Sequence, residues 1–370
     1  MGLKYGIVGL PNVGKSTLFN CLTASKAAPA ENYPFCTIEP NLGIVTVPDK
    51  RVEELVKIYN PKKTVNTVIE FLDIAGLVAG ASKGEGLGNK FLSHIREVDA
   101  IIHIVRCFDN DDIVHVNGNV NPKADIEIIE TELVLKDLDT IDNRLKKTEK
   151  LLKTGDKKIK EEYESYIALK KHLESGRLAK YFIIEYKKNK SPEDIRHIDE
   201  LQLLTDKHIL YVANVDDKSI HGNNYSKIVE EIAAKEDEEA IVLSVEVESE
   251  LAQLPPEEEF EFLKEYGIEE PGLDKLIHTA YHLLGLITFF TVSEKEVHAW
   301  TIHKGTKAPG AAGEIHTDFE RGFIRAEVMH YGDLIKYGSE HSVKEQGLIR
   351  IEGKDYEVRD GDVVYFRFNV

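Results

Sequence analysis

Short apolar runs alternate with amphipathic stretches along most of this chain. Residues 5–8 form an apolar run that breaks at Gly9, and residues 16–23 continue with apolar positions at helical spacing. Further apolar runs occur at 67–72, 100–105, 208–213 and 240–243, with helical patterns between them. Buried strands separated by helices predict an α/β fold built on an open sheet. The series is interrupted from about residue 129 to 197, where the sequence is charged, poor in glycine and free of proline until Pro192. There Leu133, Leu138, Ile141 and Leu145 recur at steps of three and four, and the pattern resumes beyond Thr154-Gly155-Asp156. An antiparallel helical hairpin inserted into the α/β unit is expected. From about residue 284 the pattern changes again. Residues 287–292 and 297–302 predict a β-hairpin, and Asp360-Gly361-Asp362 introduces a last strand at 363–368. The expected organisation is an α/β domain over 1–128 and 205–283, a helical insertion over 129–204, and a small α+β domain over 284–370.

Composition narrows the function. The chain has 370 residues and a formal charge of −18, which disfavours wrapping of nucleic acid by its whole surface. The charge is uneven. Residues 136–190 hold 16 Lys/Arg against 10 Asp/Glu, whereas residues 235–270 hold 14 acids against 2 bases. The basic stretch is either a docking surface for a polyanion or a solvated helix face; the acids at 236–239 and 257–259 are read as solvated surface. Three widely spaced cysteines fit reduced thiols. No apolar run approaches membrane-spanning length, and the first residues lead directly into a strand, so a cytoplasmic location without membrane attachment is expected.

The strongest chemical signal is Gly9-Leu10-Pro11-Asn12-Val13-Gly14-Lys15-Ser16-Thr17, which fits G-x-x-x-x-G-K-[ST] between a strand and a helix. In such a loop backbone N–H groups, here around Asn12 to Thr17, cradle phosphates. Lys15 would reach the β- and γ-phosphates, and the Ser16 hydroxyl would ligate Mg²⁺. Asp73-Ile74-Ala75-Gly76 follows a strand-like run; its aspartate suits the Mg²⁺ shell and the Gly76 N–H suits sensing of the γ-phosphate. Thr37 stands where a first switch would close on the metal. Switch NTPases often place a water-orienting glutamine after that glycine, but here the residue is Leu77, at the start of a glycine-rich stretch.

These motifs, with Gly80-Ala81-Ser82-Lys83-Gly84-Glu85-Gly86-Leu87-Gly88-Asn89 and Ile315-His316-Thr317-Asp318-Phe319, resemble the Obg-like ATPase (YchF) family over essentially the whole chain. The resemblance implies a P-loop G domain, a coiled-coil insertion and a C-terminal TGS domain of β-grasp fold. It also implies slow ATP hydrolysis and binding to the ribosome; with the Mg²⁺ that the P-loop calls for, a Mg²⁺-dependent monomer that contacts the ribosome or its large subunit is expected. His115 resembles the family's proposed catalytic histidine. A K⁺ ion held with the help of Asn12 is the alternative substitute for the missing glutamine, and sequence leaves the two open. The base-reading stretch departs from the family's usual N-x-x-E form: Asn214-Val215-Asp216-Asp217 lacks the lysine of the guanine-reading N-K-x-D form, but ends in its aspartate. Adenine is expected, with Asn214 bonding the base or bracing the P-loop and Val215 packing near the base. Asp217 keeps a guanine site as the alternative. Ser244 marks the expected last base-contacting loop. A ribosome-binding module with incidental hydrolysis is the other functional class.

Overall fold

A computed structural model describes residues 3–28, 41–74, 87–110, 118–188 and 190–369. Two six-stranded sheets organise it. The first has the order β2-β4-β1-β5-β6-β7, from β1 (Lys4–Val8), β2 (Leu42–Thr46), β4 (Val68–Asp73), β5 (Ala100–Arg106), β6 (Ile209–Asn214) and β7 (Glu239–Leu243). The edge strand β2 runs antiparallel to β4, and the other pairings are parallel. Helices cover both faces of a parallel sheet, which leaves no solvent side for polar residues. Accordingly every residue of β5 and β6 is buried. The helices include α1 (Lys15–Ser25), α2 (Lys50–Tyr59), α3 (Leu87–Glu97), α4 (Pro122–Leu151), α5 (Lys157–Glu174), α6 (Ala179–Lys187), α7 (Pro192–Asp199), α8 (Asn224–Lys235), α9 (Val245–Leu251), α10 (Pro256–Glu265) and α11 (Gly272–Leu283). Among the described residues no helix is long and apolar enough to cross a membrane.

The inserted helices share one backbone with the α/β core. Helix α4 starts at Pro122 because Asn121 accepts from Ala124 N and the proline at the first position needs no partner. Its first turns place Ile126, Ile129 and Leu133 in the main core, and its later turns place Val134 and Ile141 against Tyr166, Leu169 and Leu173 of α5. The structure adds α6 and α7 to the expected hairpin, through Ala179, Ile183 and Ile198. The chain returns to the sheet where buried Asp137 accepts from Leu204 N, Thr205 N and the Thr205 hydroxyl at 2.7–2.9 Å. The acids at 236–239 are not all solvated surface. Glu236 and Glu238 turn inward onto the buried Lys180 of α6, at 3.2 and 3.1 Å, because a buried ammonium requires carboxylate partners.

The second sheet has the order β11-β10-β12-β8-β9-β3. It comprises β3 (Lys63–Val65), β8 (Leu286–Val292), β9 (Glu296–His303), β10 (Phe323–His330), β11 (Arg350–Glu352) and β12 (Asp362–Phe368). Its edge strand β3 comes from the N-terminal part of the chain and pairs parallel with β9. Val52 and Leu55 of α2 join Phe290, Val297 and Val363 in one core. Arg51 then bonds Asp49 and reaches Asp360 at 2.7 Å, while Glu54 contacts the Tyr331 hydroxyl. Residues 50–65, between β2 and β4, are therefore packed into the C-terminal unit.

Candidate nucleotide site

The carboxyl ends of parallel strands bring loops from distant segments to one edge of a sheet, and ligands of open α/β folds bind there. At the end of β1 the loop turns through Asn12 (φ 64°) and Gly14 (φ 97°) into α1. Gly14 is required twice over: its φ is left-handed, and an added Cβ would lie 2.6 Å from Asn214 Nδ2. No side chain caps α1 and no acid stands in its first turn. This helix start therefore keeps its positive dipole end and first-turn N–H groups for an anion. Lys15 is nearly buried, and its ammonium is in contact with the Asp73 carboxylate at the end of β4. The side chains of Ser16, Thr17 and Asn12 are exposed around this point. A hydroxyl at Ser16 and a carboxylate at Asp73 are the hard oxygen donors that Mg²⁺ selects, so the residues present fit that ion. Thr37, Gly76 and His115 lie outside the described residues.

Beside the loop is a cavity of about 810 Å³, lined in part by Asn12, Gly14, Thr17, Asn214, Val215 and Asp217. Its size suits a nucleotide-scale ligand. Asn214, at the end of β6, donates from Nδ2 to the Val13 carbonyl at 2.9 Å and accepts at Oδ1 from Val245 N at 3.0 Å. Both ends of its amide thus brace the P-loop against the β7–α9 turn. Val13 itself is a core side chain, leaving only its backbone near the loop surface. Ser244 is buried behind the wall, and its hydroxyl accepts from Val247 N to start α9. The cavity wall at this turn is made instead by Val245, Glu246, Ser249 and Glu250.

Sequence reasoning missed a third wall, formed by Phe108, Asp109 and Asn110 beyond β5. Its anchor is Arg106, which is 1% exposed. Arg106 donates from Nε to the Phe108 carbonyl at 3.0 Å and from Nη2 to the Asn110 carbonyl at 3.1 Å, with its guanidinium 4.7 Å from the Phe108 ring centroid. Asn223 holds the same turn by donating to the Cys107 carbonyl at 2.7 Å. The available signal was an arginine closing a strand that is apolar apart from His103, since a buried guanidinium must be bonded on several sides. Arg106→Met should leave those carbonyls underbonded, destabilising the protein by about 2–4 kcal/mol and weakening nucleotide binding together. Denaturant unfolding and nucleotide titration of the variant measure both.

The electrostatics divide the site. Asp109, Asp216, Asp217, Glu246 and Glu250 face the cavity with Lys218 as its cation, whereas the P-loop end carries Lys15 and the helix start. Carboxylates accept from hydroxyl and amino groups, the donors that a ribose and a purine edge offer; the helix start and ammonium suit phosphates.

Comparison with known proteins bears on the family and the fold. Residues 4–171 match a family model described as a 50S ribosome-binding GTPase, and residues 286–369 match a YchF-type GTPase C-terminal model described as a protein of unknown function (DUF933). The chain is 54% identical to a protein named ribosome-binding ATPase YchF from Bacillus subtilis (strain 168), covering 100% of both. The chain belongs to the YchF family. A second YchF relative, the ribosome-binding ATPase of Escherichia coli O157:H7, is 51% identical over 100% of each chain. The solved structure of the Schizosaccharomyces pombe YchF GTPase superposes with a TM-score of 0.85 at 38% identity, covering 99% of this chain and 98% of the other. The P-loop domain and the C-terminal YchF domain of the fold are thus those of the family.

Proposed function

We propose that this protein is a Mg²⁺-dependent, ATP-hydrolysing molecular switch of the cytoplasm that docks on the ribosome as a monomer and prefers ATP to GTP. The observation that carries the reading is the meeting of the P-loop lysine with the carboxylate at the end of β4, beside a nucleotide-sized cavity. The YchF relatives named as ribosome-binding ATPases support the choice of nucleotide and of partner. Ser16 and Asp73, with Thr37, would hold the ion, whose chemistry is to neutralise charge on the phosphates. Lys15 would bind the β- and γ-phosphates, and the backbone from Asn12 to Thr17 would orient them. Gly76 would sense the γ-phosphate. His115, or K⁺ positioned with the help of Asn12, would replace the glutamine that Leu77 cannot supply.

Adenine preference rests on the lysine-free Asn214-Val215-Asp216-Asp217 stretch and on the relatives' names. Asp217 lines the cavity, which favours guanine as a second reading. Calorimetry with ATP and GTP decides between them: tighter ATP binding is expected, and tighter GTP binding that collapses in Asp217→Ala would overturn it. ATP turnover should rise on addition of ribosomes; an unchanged rate would favour a binding module with incidental hydrolysis.

Docking is assigned to the inserted helices together with the C-terminal domain. Lys146, Lys147 and Lys150 on α4, Lys153 in the connecting turn, and Lys157, Lys158 and Lys160 on α5 are all exposed around one tip. The C-terminal stretch 300–370 holds 10 Lys/Arg against 12 Asp/Glu, so its contribution comes from shape and individual side chains. Each lysine that meets a phosphate should add roughly −0.7 to −0.9 to the log–log salt slope of ribosome binding. Reversing Lys146, Lys147, Lys150 and Lys153 to glutamate should weaken co-sedimentation with ribosomes while leaving the free ATPase rate intact. Unchanged sedimentation at low and physiological salt would return the tip to a solvated helical surface.

A further inference from the structure

The sugar of a bound nucleotide lies between its phosphates and its base. In the first sheet the P-loop follows β1, the Asn214–Asp217 stretch follows β6, and β5 is hydrogen-bonded between those two strands. The turn after β5, residues 108–110, therefore lines the cavity between its phosphate end and its base end. Asp109, at the middle of that turn, brings a carboxylate to this point. The other acids of the lining follow β6 or stand on α9 beyond β7, on the base side.

Both the backbone and the side chain of Asp109 are held in place. Arg106 bonds the carbonyls of Phe108 and Asn110, one on each side of it. Asn223 accepts from Tyr225 N and Ser226 N at the start of α8 and donates to the Cys107 carbonyl, joining that helix to the same turn. Tyr225 packs its ring against the main core and donates its hydroxyl to Asp109 Oδ2 at 3.2 Å, with Oδ1 3.4 Å away. Tyr225 supplies a single proton, whereas an ionised carboxylate can accept about four hydrogen bonds. Among the described residues no other hydrogen bond or ion pair engages the Asp109 carboxylate. Its remaining acceptor capacity suits neighbouring hydroxyl donors, and a carboxylate already oriented loses little freedom on binding them.

We propose that Asp109, positioned by Tyr225, accepts from the ribose hydroxyls of the nucleotide and makes the site selective for ribose over sugars that lack them. The inference rests on the reading of this cavity as the nucleotide site. It holds for either base, because the sugar is common to both.

The test titrates the full chain, with Mg²⁺ present, with ADP and with 2′,3′-dideoxy-ADP by calorimetry; the diphosphates avoid turnover during the measurement. ADP should bind about tenfold or more tightly than the dideoxy analogue, the loss expected when hydrogen bonds to a charged group go unmade. In Asp109→Ala, ADP should weaken to the level of the analogue while the analogue itself is unaffected, so the ratio falls to about one. Tyr225→Phe keeps the ring in the core and removes only the hydroxyl, so it should lower the ratio without loss of thermal stability. A merely structural part for Asp109 would weaken both ligands alike and keep the parental ratio. Equal affinities in the parental chain, or the parental ratio kept in Asp109→Ala, overturn the proposal and leave the nucleotide site standing. Failure of the parental chain to bind ADP at all would instead overturn the nucleotide-site reading beneath it.

Discussion

Lys15→Ala should abolish measurable ATP turnover while the protein remains folded. The lysine is the first residue of α1 and its ammonium meets Asp73, so the substitution removes the positive charge from the point where both phosphate-binding elements converge. Preorganised charge of this kind typically accounts for about 10²–10³ in rate when one donor is lost. The fold should persist because α1 is held by Leu18, Cys21 and Leu22 in the main core, none of which contacts depend on the ammonium. Single-turnover hydrolysis with circular dichroism of the same sample checks both parts. Parental turnover in that variant would show that the P-loop is not the hydrolytic site.

The second large effect is expected for Asn214→Ala. One side-chain amide holds the Val13 carbonyl of the P-loop and the Val245 N–H of the opposite wall, and it is buried. Removing it leaves a carbonyl and an N–H without partners in a region closed to water. At about 1–3 kcal/mol for each unsatisfied group, the combined cost is about 2–6 kcal/mol. The loss should appear as lower stability and as nucleotide affinity weakened by about 30-fold or more, because the unbraced loop must be ordered on binding. Asn214→Asp, which retains the acceptor for Val245 but loses the donor to Val13, should fall between. An alanine variant with parental affinity would mean that the brace has no part in nucleotide binding.

Both results bear on how the two sheets communicate. Residues 50–65 leave the first sheet after β2, lend β3 and two core side chains to the second, and return as β4, which ends at Asp73. The C-terminal unit is thus packed against the segment that leads into the site. Arg51, shared between Asp49 and Asp360, is the polar part of that contact.

What the sequence determined alone was everything written in local pattern. The apolar runs of β5 and β6 were legible because strands buried on both faces require continuous apolar residues, and those of β4 and β7 were legible as shorter apolar runs between helical patterns. The P-loop was legible because a tight phosphate-binding turn requires glycines and one lysine at fixed spacing. Helices α4 and α5 were legible from their three- and four-residue period. The rest needed tertiary structure. The three residues of β3 are too few to carry a period, and only their place beside β9 makes them a strand. Glu236 and Glu238 read as solvent-facing acids until α6 brings Lys180 onto them. Asn214 had two possible roles in sequence, and the packing of β6 between the P-loop and the β7–α9 turn gives its amide to the brace. Arg106 and residues 108–110 show no motif; they reach the cavity because β5 lies between β1 and β6 and its carboxyl end opens at the same edge. Sequence specifies which residues can do chemistry, but contacts between distant segments arise only when the chain has paid the entropy of bringing them together.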